Sequence, residues 1–217
     1  MNNKKVADYV YDRFHEMLEM DARNANQVIT RFGRGKIYQS FPRLGIEGQR
    51  PTDIRIQEYK MNDVLLDNMD VLDIGCNIGF LDLSIADKVG SVTGIDNNEC
   101  LIDIAQNVAS MLNIENATFS SGDFKEWIKN NNAKYDAIFS FAVHYWIGMK
   151  PRDYARVVSE LNREGGYLFF ESQDIEKVDN DFDEYIDGFK DEGYQIQSEG
   201  MIKDDGIISR RWLVMKK

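Results

Sequence analysis

The sequence predicts an α/β fold: a mostly parallel seven-stranded sheet with helices on both faces, closed by an antiparallel hairpin. Three observations predict it. From about residue 70 onward, short apolar runs alternate with amphipathic segments of helical period. The first of these runs, Asp70-Val-Leu-Asp-Ile-Gly-Cys-Asn-Ile-Gly79, ends in a loop with two glycines and passes directly into the helical segment Phe80 to Lys88. The last two apolar runs, 194–199 and 207–215, are separated by the turn Lys203-Asp-Asp-Gly206, too short for a parallel crossover, so they pair as a hairpin.

The elements follow in order. Residues 4 to about 31 form a helix, with Val6, Val10, Phe14 and Leu18 on one stripe, continued by Val28 or Ile29 and Phe32. Gly33-Arg-Gly-Lys36 ends it. Residues 33–57 lack periodicity and carry apolar anchors at Tyr38, Phe41, Leu44 and Ile46, which predicts an ordered loop that lines a site. A short helix covers Asp53 to about Met61, with a further turn at 63–68. Strands are expected at 70–75, 91–96, 117–121, 135–140 and 167–171, with helices at 80–88, 99–112, 124–130 and from Pro151. Gly165-Gly166 is expected to break the helix that Pro151 begins. A last helix at 181–192 stops at Gly193. Residues 1–60 thus divide off as an N-terminal helix and pocket-covering loop, and 61–217 as the ligand-binding domain.

Composition narrows the function. The chain has 217 residues, 43% of them hydrophobic, enough for one sizeable core. A net charge of -11, from 37 acidic and 26 basic residues, argues against a general nucleic-acid binder, which needs a positive surface. The densest basic stretch, Arg31, Arg34, Lys36, Arg43, Arg50 and Arg55, keeps a local anion-binding patch open. Cys76 and Cys100 have no metal-ligand spacing and form no disulfide framework. The N-terminus lacks an apolar leader and no apolar run approaches a membrane span, so a cytoplasmic protein with no membrane partner is expected.

The first loop and the strand after it carry the chemistry. Loop amides after a strand approach one end of a ligand closely, and Asp96, ending the second strand about 20 residues on, can accept hydrogen bonds from two ribose hydroxyls. With Gly122-Asp123-Phe124 as a third element, the set suits a nucleoside-containing cofactor.

Residues 71–80, Asp96, Gly122-Asp123-Phe124, the 134–146 segment and Gly165-Gly166 together resemble the class I S-adenosylmethionine-dependent methyltransferases, over roughly residues 60–217. The resemblance implies a Rossmann-like sheet and S-adenosyl-L-methionine as cofactor. It implies that Asp73 helps bind the amino-acid end, often through water, and that Gly75, Cys76, Asn77 and Gly79 pack against methionine and ribose. Asp96, followed by Asn97, would meet the ribose, Asp123 the adenine amino group and Phe124 the ring edge. Ser140 and Phe141 would close the methionine side. Tyr38 to Arg55 resembles the lead-in of some small-molecule and tRNA-wobble-type relatives, in which an arginine or glutamine meets the cofactor carboxylate or covers the pocket; Gln49 and Arg50 are the candidates. The motif departs from the commonest pattern at Asn77-Ile78, so Ile78 should point into the domain. A nucleotide-dependent oxidoreductase shares the loop and Asp96, but Asp82 stands where its third glycine belongs. A non-catalytic binding protein is the other alternative.

Methyl transfer from a sulfonium needs alignment and exclusion of water, with no metal, and a base only when the acceptor is protonated. His144, in the loop after the fourth strand, is the candidate base, with Tyr145 and Trp146 shaping an acceptor pocket. His15 reads as a surface or interhelix residue. Glu171 ends the fifth strand and can orient an acceptor, with Gln173 a weaker candidate. The Asn/Asp-Pro-Pro-aromatic motif of many amino-group methylases is absent. The negative charge favours a small-molecule acceptor with a nucleophilic O or N atom; the basic 31–55 stretch keeps RNA or an anionic sugar as the alternative. A monomer and a homodimer both remain open.

Overall fold

A computed structural model describes residues 2–23 and 36–217, with side chains of 20–23 left aside. One seven-stranded sheet runs in the order β3-β2-β1-β4-β5-β7-β6. The strands are β1 (Asp70–Ile74), β2 (Ser91–Asp96), β3 (Ala117–Ser121), β4 (Tyr135–Phe141), β5 (Asn162–Glu171), β6 (Gln195–Ile202) and β7 (Arg210–Lys216). Pairs among β1 to β5 are parallel, and β7 runs antiparallel to both β5 and β6. The predicted fold class is therefore observed, including the terminal hairpin. Order reverses at β1, between β2 and β4, which places a ligand crevice outside the carboxyl ends of those strands.

Helices among the described residues are α1 (Asn3–Arg23), α2 (Thr52–Glu58), α3 (Met61–Val64), α4 (Phe80–Ile85), α5 (Glu99–Met111), α6 (Phe124–Trp127), α7 (His144–Ile147), α8 (Pro151–Leu161) and α9 (Phe182–Asp191). Alternation of side chains along the strands splits the core in two. Val71, Ala137, Phe139, Phe169 and Val214 face one side, packed by α1, α4, α5 and the 37–65 lead-in. Leu72, Ile138, Leu168, Phe170 and Leu213 face the other, packed by α8 and α9. From α1, Val6, Val10, Phe14 and Met17 join the first core, so the lead-in and the sheet share one apolar interior. Burying four such side chains contributes on the order of 2 kcal/mol each.

Two expectations change, and a third is not tested. The stretch 24–35, with Ala25, Val28, Ile29, Arg31, Phe32, Gly33 and Arg34, lies outside the described residues. Gly165-Gly166 does not end a helix: α8 stops at Leu161, and β5 begins at Asn162, whose Nδ2 donates to Tyr135 O at 3.0 Å. The register then slips between Tyr135 and Ala137, and the glycines lie inside that bulge. Gly165 takes φ 77°, and a Cβ on Gly166 would stand 2.6 Å from Asn162 Nδ2. Short α7, unforeseen in the sequence, occupies the loop after β4.

Candidate functional site

The crevice is built around the loop between β1 and α4. Gly75 and Gly79 take φ of 79° and 71°, and Asn77, the non-glycine between them, takes 56°. These left-handed turns fold the chain back tightly. A Cβ on Gly75 would lie 2.4 Å from Val143 Cγ2, and one on Gly79 would lie 2.6 Å from Phe119. Gly75 and Cys76 donate from their backbones to Ile95 O at 2.8 and 3.1 Å, tying the loop to β2. Cys76 is buried, with burial raising its thiol pKa well above the ordinary value, and a Cβ on Gly94 would reach within 2.8 Å of its Sγ. Ile78 points into the core, as expected.

Gln39 was not singled out from the sequence. Its buried Oε1 accepts from Phe80 N at 2.9 Å and Leu81 N at 3.4 Å, and its Nε2 donates to Cys76 O at 3.3 Å. It thus satisfies first-turn amides of α4 that Gly79 has no side chain to cap. No local signal announces such a contact, because the partners are 41 residues apart.

Asp96 ends β2 in the crevice. Oδ2 accepts from Asn77 N at 2.9 Å and Oδ1 from Asn98 N at 2.9 Å. Each oxygen keeps a further lone-pair direction, the acceptors that two vicinal hydroxyls would need. Burial raises its pKa, and the Asn98, Asn77 and Asn97 amides pull the other way. Asn97 itself is exposed. Exposed Asp123 caps α6, accepting from Lys125 N at 2.8 Å and Glu126 N at 3.3 Å. Phe124 is buried and stacks on Trp127 with centroids 6.1 Å apart.

Two carboxyls lie beneath the loop. Asp73 and Asp82 are both buried, and Asp73 Oδ1 and both Asp82 oxygens lack hydrogen-bond partners among the described residues. Burial pushes Asp73 up to about 7, and burial together with Asp73 pushes Asp82 well above its ordinary value. Such a pair retains a proton at neutral pH. Ser140 turns the other way, its Oγ 2.7 Å from Tyr154 OH, so only its backbone borders the crevice. Phe141 lies on the lead-in side, its ring 5.2 Å from that of Tyr59.

The residues expected to handle the acceptor separate. His144 is fully buried among Phe170, Phe182 and Tyr185, and its Nε2 sits 3.0 Å from both oxygens of Asp179. The ring has no exposed edge from which to take an acceptor's proton. Tyr145 and Trp146, 47% and 51% exposed, form an edge-to-face pair on α7. Gln173 reaches back to donate to Ala142 O.

Glu171 ends β5 in a buried ionic cluster. Arg50 donates to it from both Nη atoms at 2.7 and 2.8 Å, and from Nε to Asp204 at 2.8 and 3.0 Å. Tyr59 OH also donates to Glu171. Burial alone would raise the Glu171 pKa; Arg50, Arg55 and Arg210 together hold it below the usual value. Arg50 is therefore committed to protein acids, which leaves no fork to meet a cofactor carboxylate. Gln49, the other candidate, is half-buried, with its backbone N–H donating to Ile37 O at 2.9 Å. Among the described residues there is no cluster of metal-ligating side chains. A separate cleft of about 470 Å³, lined by Phe41, Ile56, Leu83, Leu112 and Asn116, lies away from these strand ends.

The crevice therefore offers loop amides, a carboxylate with spare acceptor capacity at β2 and unpartnered carboxyls below. That is a fit for a nucleoside bearing an amino-acid arm. A profile of the methyltransferase domain family matches residues 65–205, more than half of the chain. An uncharacterized RNA methyltransferase of Enterococcus faecalis is 28% identical over 59% of the chain and 32% of its own length. The ubiquinone biosynthesis O-methyltransferase of Coxiella burnetii is 29% identical over 52% of the chain and 47% of its own length. The chain thus spans less than half the length of these curated relatives. In fold it is similar to a putative S-adenosylmethionine-dependent methyltransferase from Streptococcus mutans, with TM-score 0.62, 11% identity and coverage of 80% of this chain and 51% of that one. With its strand order, hairpin and family match, the chain belongs to the methyltransferase domain family, among the class I S-adenosylmethionine-dependent methyltransferases.

Proposed function

We propose that this enzyme uses S-adenosyl-L-methionine to methylate a nucleophilic O or N atom of a small-molecule acceptor. The observation that carries the acceptor class is the burial of two of the six residues in the basic stretch, of which Lys36 and Arg43 stay exposed and Arg31 and Arg34 lie outside the described residues. Arg50 and Arg55, which could have formed a phosphate-binding rim, are turned inward and buried beside Glu171. A wide cationic surface for RNA is correspondingly reduced. When bound, the cofactor supplies an electrophilic methyl group. Asp96 would hold the ribose, Gly75 to Gly79 would press their backbone against it, and Asp123 and Phe124 would border the adenine. Phe141 and Tyr59 would wall the methyl side and exclude water. With His144 enclosed, the acceptor's proton leaves to solvent or to a group of the acceptor itself.

RNA remains the second reading, favoured by the half-exposed Tyr145 and Trp146, on which a base could stack. The test is transfer of a radiolabelled methyl group from the cofactor into a cell extract fractionated by size. Label is expected in the low-molecular-weight fraction. Label confined to nuclease-sensitive RNA would contradict the small-molecule assignment.

A further inference from the structure

The loop between β1 and α4 is built from strained backbone. Gly75, Asn77 and Gly79 all take left-handed φ, and Asn77 does so with a Cβ in place. Helix α4 starts directly on Gly79, which has no side chain to accept from the first-turn N–H groups. The loop is therefore held from outside. On the β2 side, Ile95 O accepts from Gly75 N and Cys76 N, and Asp96 Oδ2 from Asn77 N. On the lead-in side stands Gln39.

Gln39 spans the loop from entry to exit. Its Nε2 donates to Cys76 O at 3.3 Å, before the turn, and its Oε1 accepts from Phe80 N and Leu81 N, after it. Cys76 O also accepts from Gly79 N at 3.0 Å, so Gln39 braces the carbonyl that closes the turn. The side chain is 3% exposed, and both ends of its amide are engaged by backbone. It acts on the loop rather than on a ligand.

The lead-in fixes Gln39 in turn, and does so through its backbone. Gln39 bridges to Arg50, with Ser40 N donating to Arg50 O at 3.1 Å and Arg50 N to Tyr38 O at 2.8 Å. A Cβ on Gly48 would lie 2.3 Å from the carbonyl carbon of Gln39, so the two backbones touch there. Thr52 N donates to Ser40 Oγ at 2.7 Å, and Thr52 Oγ1 to Ser40 O at 2.6 Å. A new side chain at position 39 leaves all these ties in place.

We propose that Gln39 is a positioning residue for donor binding: from the lead-in it sets the conformation of the 75–79 loop, and through it the affinity of the site for the donor's nucleoside. The proposal rests on the methyltransferase reading above. It makes the lead-in a working part of the donor site.

The test is calorimetric titration of S-adenosylhomocysteine and of 5′-methylthioadenosine, an uncharged nucleoside, into wild type, Gln39→Met and Gln39→Glu at pH 5 and pH 8. Gln39→Met keeps the length and loses all three hydrogen bonds. Gln39→Glu keeps the acceptor at one oxygen; the other donates to Cys76 O when protonated and repels it when ionised. Burial raises that carboxyl, so it is protonated at pH 5 and ionised at pH 8. The charges that reach Cys76, on Asp73 of β1, Asp82 of α4 and Asp96 of β2, are common to all three proteins, as is Arg50 in the lead-in. Each affinity is therefore taken relative to wild type at the same pH. Gln39→Met is expected to bind both ligands about fivefold or more weaker at either pH. Gln39→Glu is expected to show the same loss at pH 8 and to recover at pH 5. A packing role alone would lower the melting temperature and leave the affinity of the folded protein unchanged. The proposal is overturned by a smaller loss in Gln39→Met, by a loss confined to S-adenosylhomocysteine, or by a Gln39→Glu deficit that pH 5 does not relieve. If Gln39→Met shows no melting transition, the two pH values of Gln39→Glu decide. Wild type that binds neither ligand would instead overturn the methyltransferase pocket, and this role with it.

Discussion

At the scale of single residues, burial decides roles that residue type leaves open. His144 was a candidate base because a histidine followed β4, but nothing in its neighbourhood reveals Asp179, 35 positions away, or the aromatic cage. Replacing it with Ala should cost about 3 kcal/mol through lost packing and an unpaired Asp179. The expected result is a thermal midpoint lowered by several degrees with an unchanged shape of the rate profile between pH 6 and 9; a lost acidic limb would restore the catalytic role. Asp73 and Asp82 make a second prediction. Both have folded pKa values raised above the ordinary carboxylate value, Asp73 to about 7. The folded state then binds more protons than the unfolded chain above about pH 4, and stability falls as pH rises from there to about 7. Asp82→Asn should therefore gain more stability relative to wild type at pH 8 than at pH 5, by about 1 kcal/mol, or roughly 2–4 °C in melting. Equal gains at both pH values would contradict the raised pKa values of the pair.

At the scale of elements, what was legible followed from period and punctuation. The runs at 91–96 and 117–121 coincide with β2 and β3, because apolar residues bounded by Gly, Asn or Asp admit little else. The Gly165-Gly166 pair misled, since a bulge and a helix stop use the same glycine freedom and only the pairing with β4 distinguishes them. Helix α5 gives the test at this scale. The Asn98 side chain accepts from Leu101 N at 3.2 Å, and Asn98→Ala should destabilise the protein by about 1 kcal/mol in urea unfolding. No loss would mean that the cap contributes nothing.

At the scale of the whole molecule, the lead-in and the terminal hairpin meet over the sheet through Arg50, Glu171, Asp204 and Arg210. The crevice loop and Asp96 were legible because they are local motifs, the loop turning on Gly75, Asn77 and Gly79 and Asp96 ending β2. The buried ionic cluster was not, because it is assembled from distant segments, Arg50 and Glu171 being 121 positions apart. Glu171→Gln leaves buried guanidiniums without their acid and should cost about 3 kcal/mol at pH 7. Since Glu171 has a lowered folded pKa, that difference should begin to shrink as pH falls below about 4, where the unfolded chain takes up the proton first, and go on shrinking towards the lower folded value. A constant difference down to pH 3 would contradict the ionic role. The central claim, a nucleoside slot at the carboxyl ends of β1 to β3, is met most directly by titrating S-adenosylhomocysteine into wild type and Asp96→Ala. Saturable binding by wild type, weakened about tenfold or more by the substitution, is predicted. Absence of binding, or equal affinity in the two proteins, would contradict it.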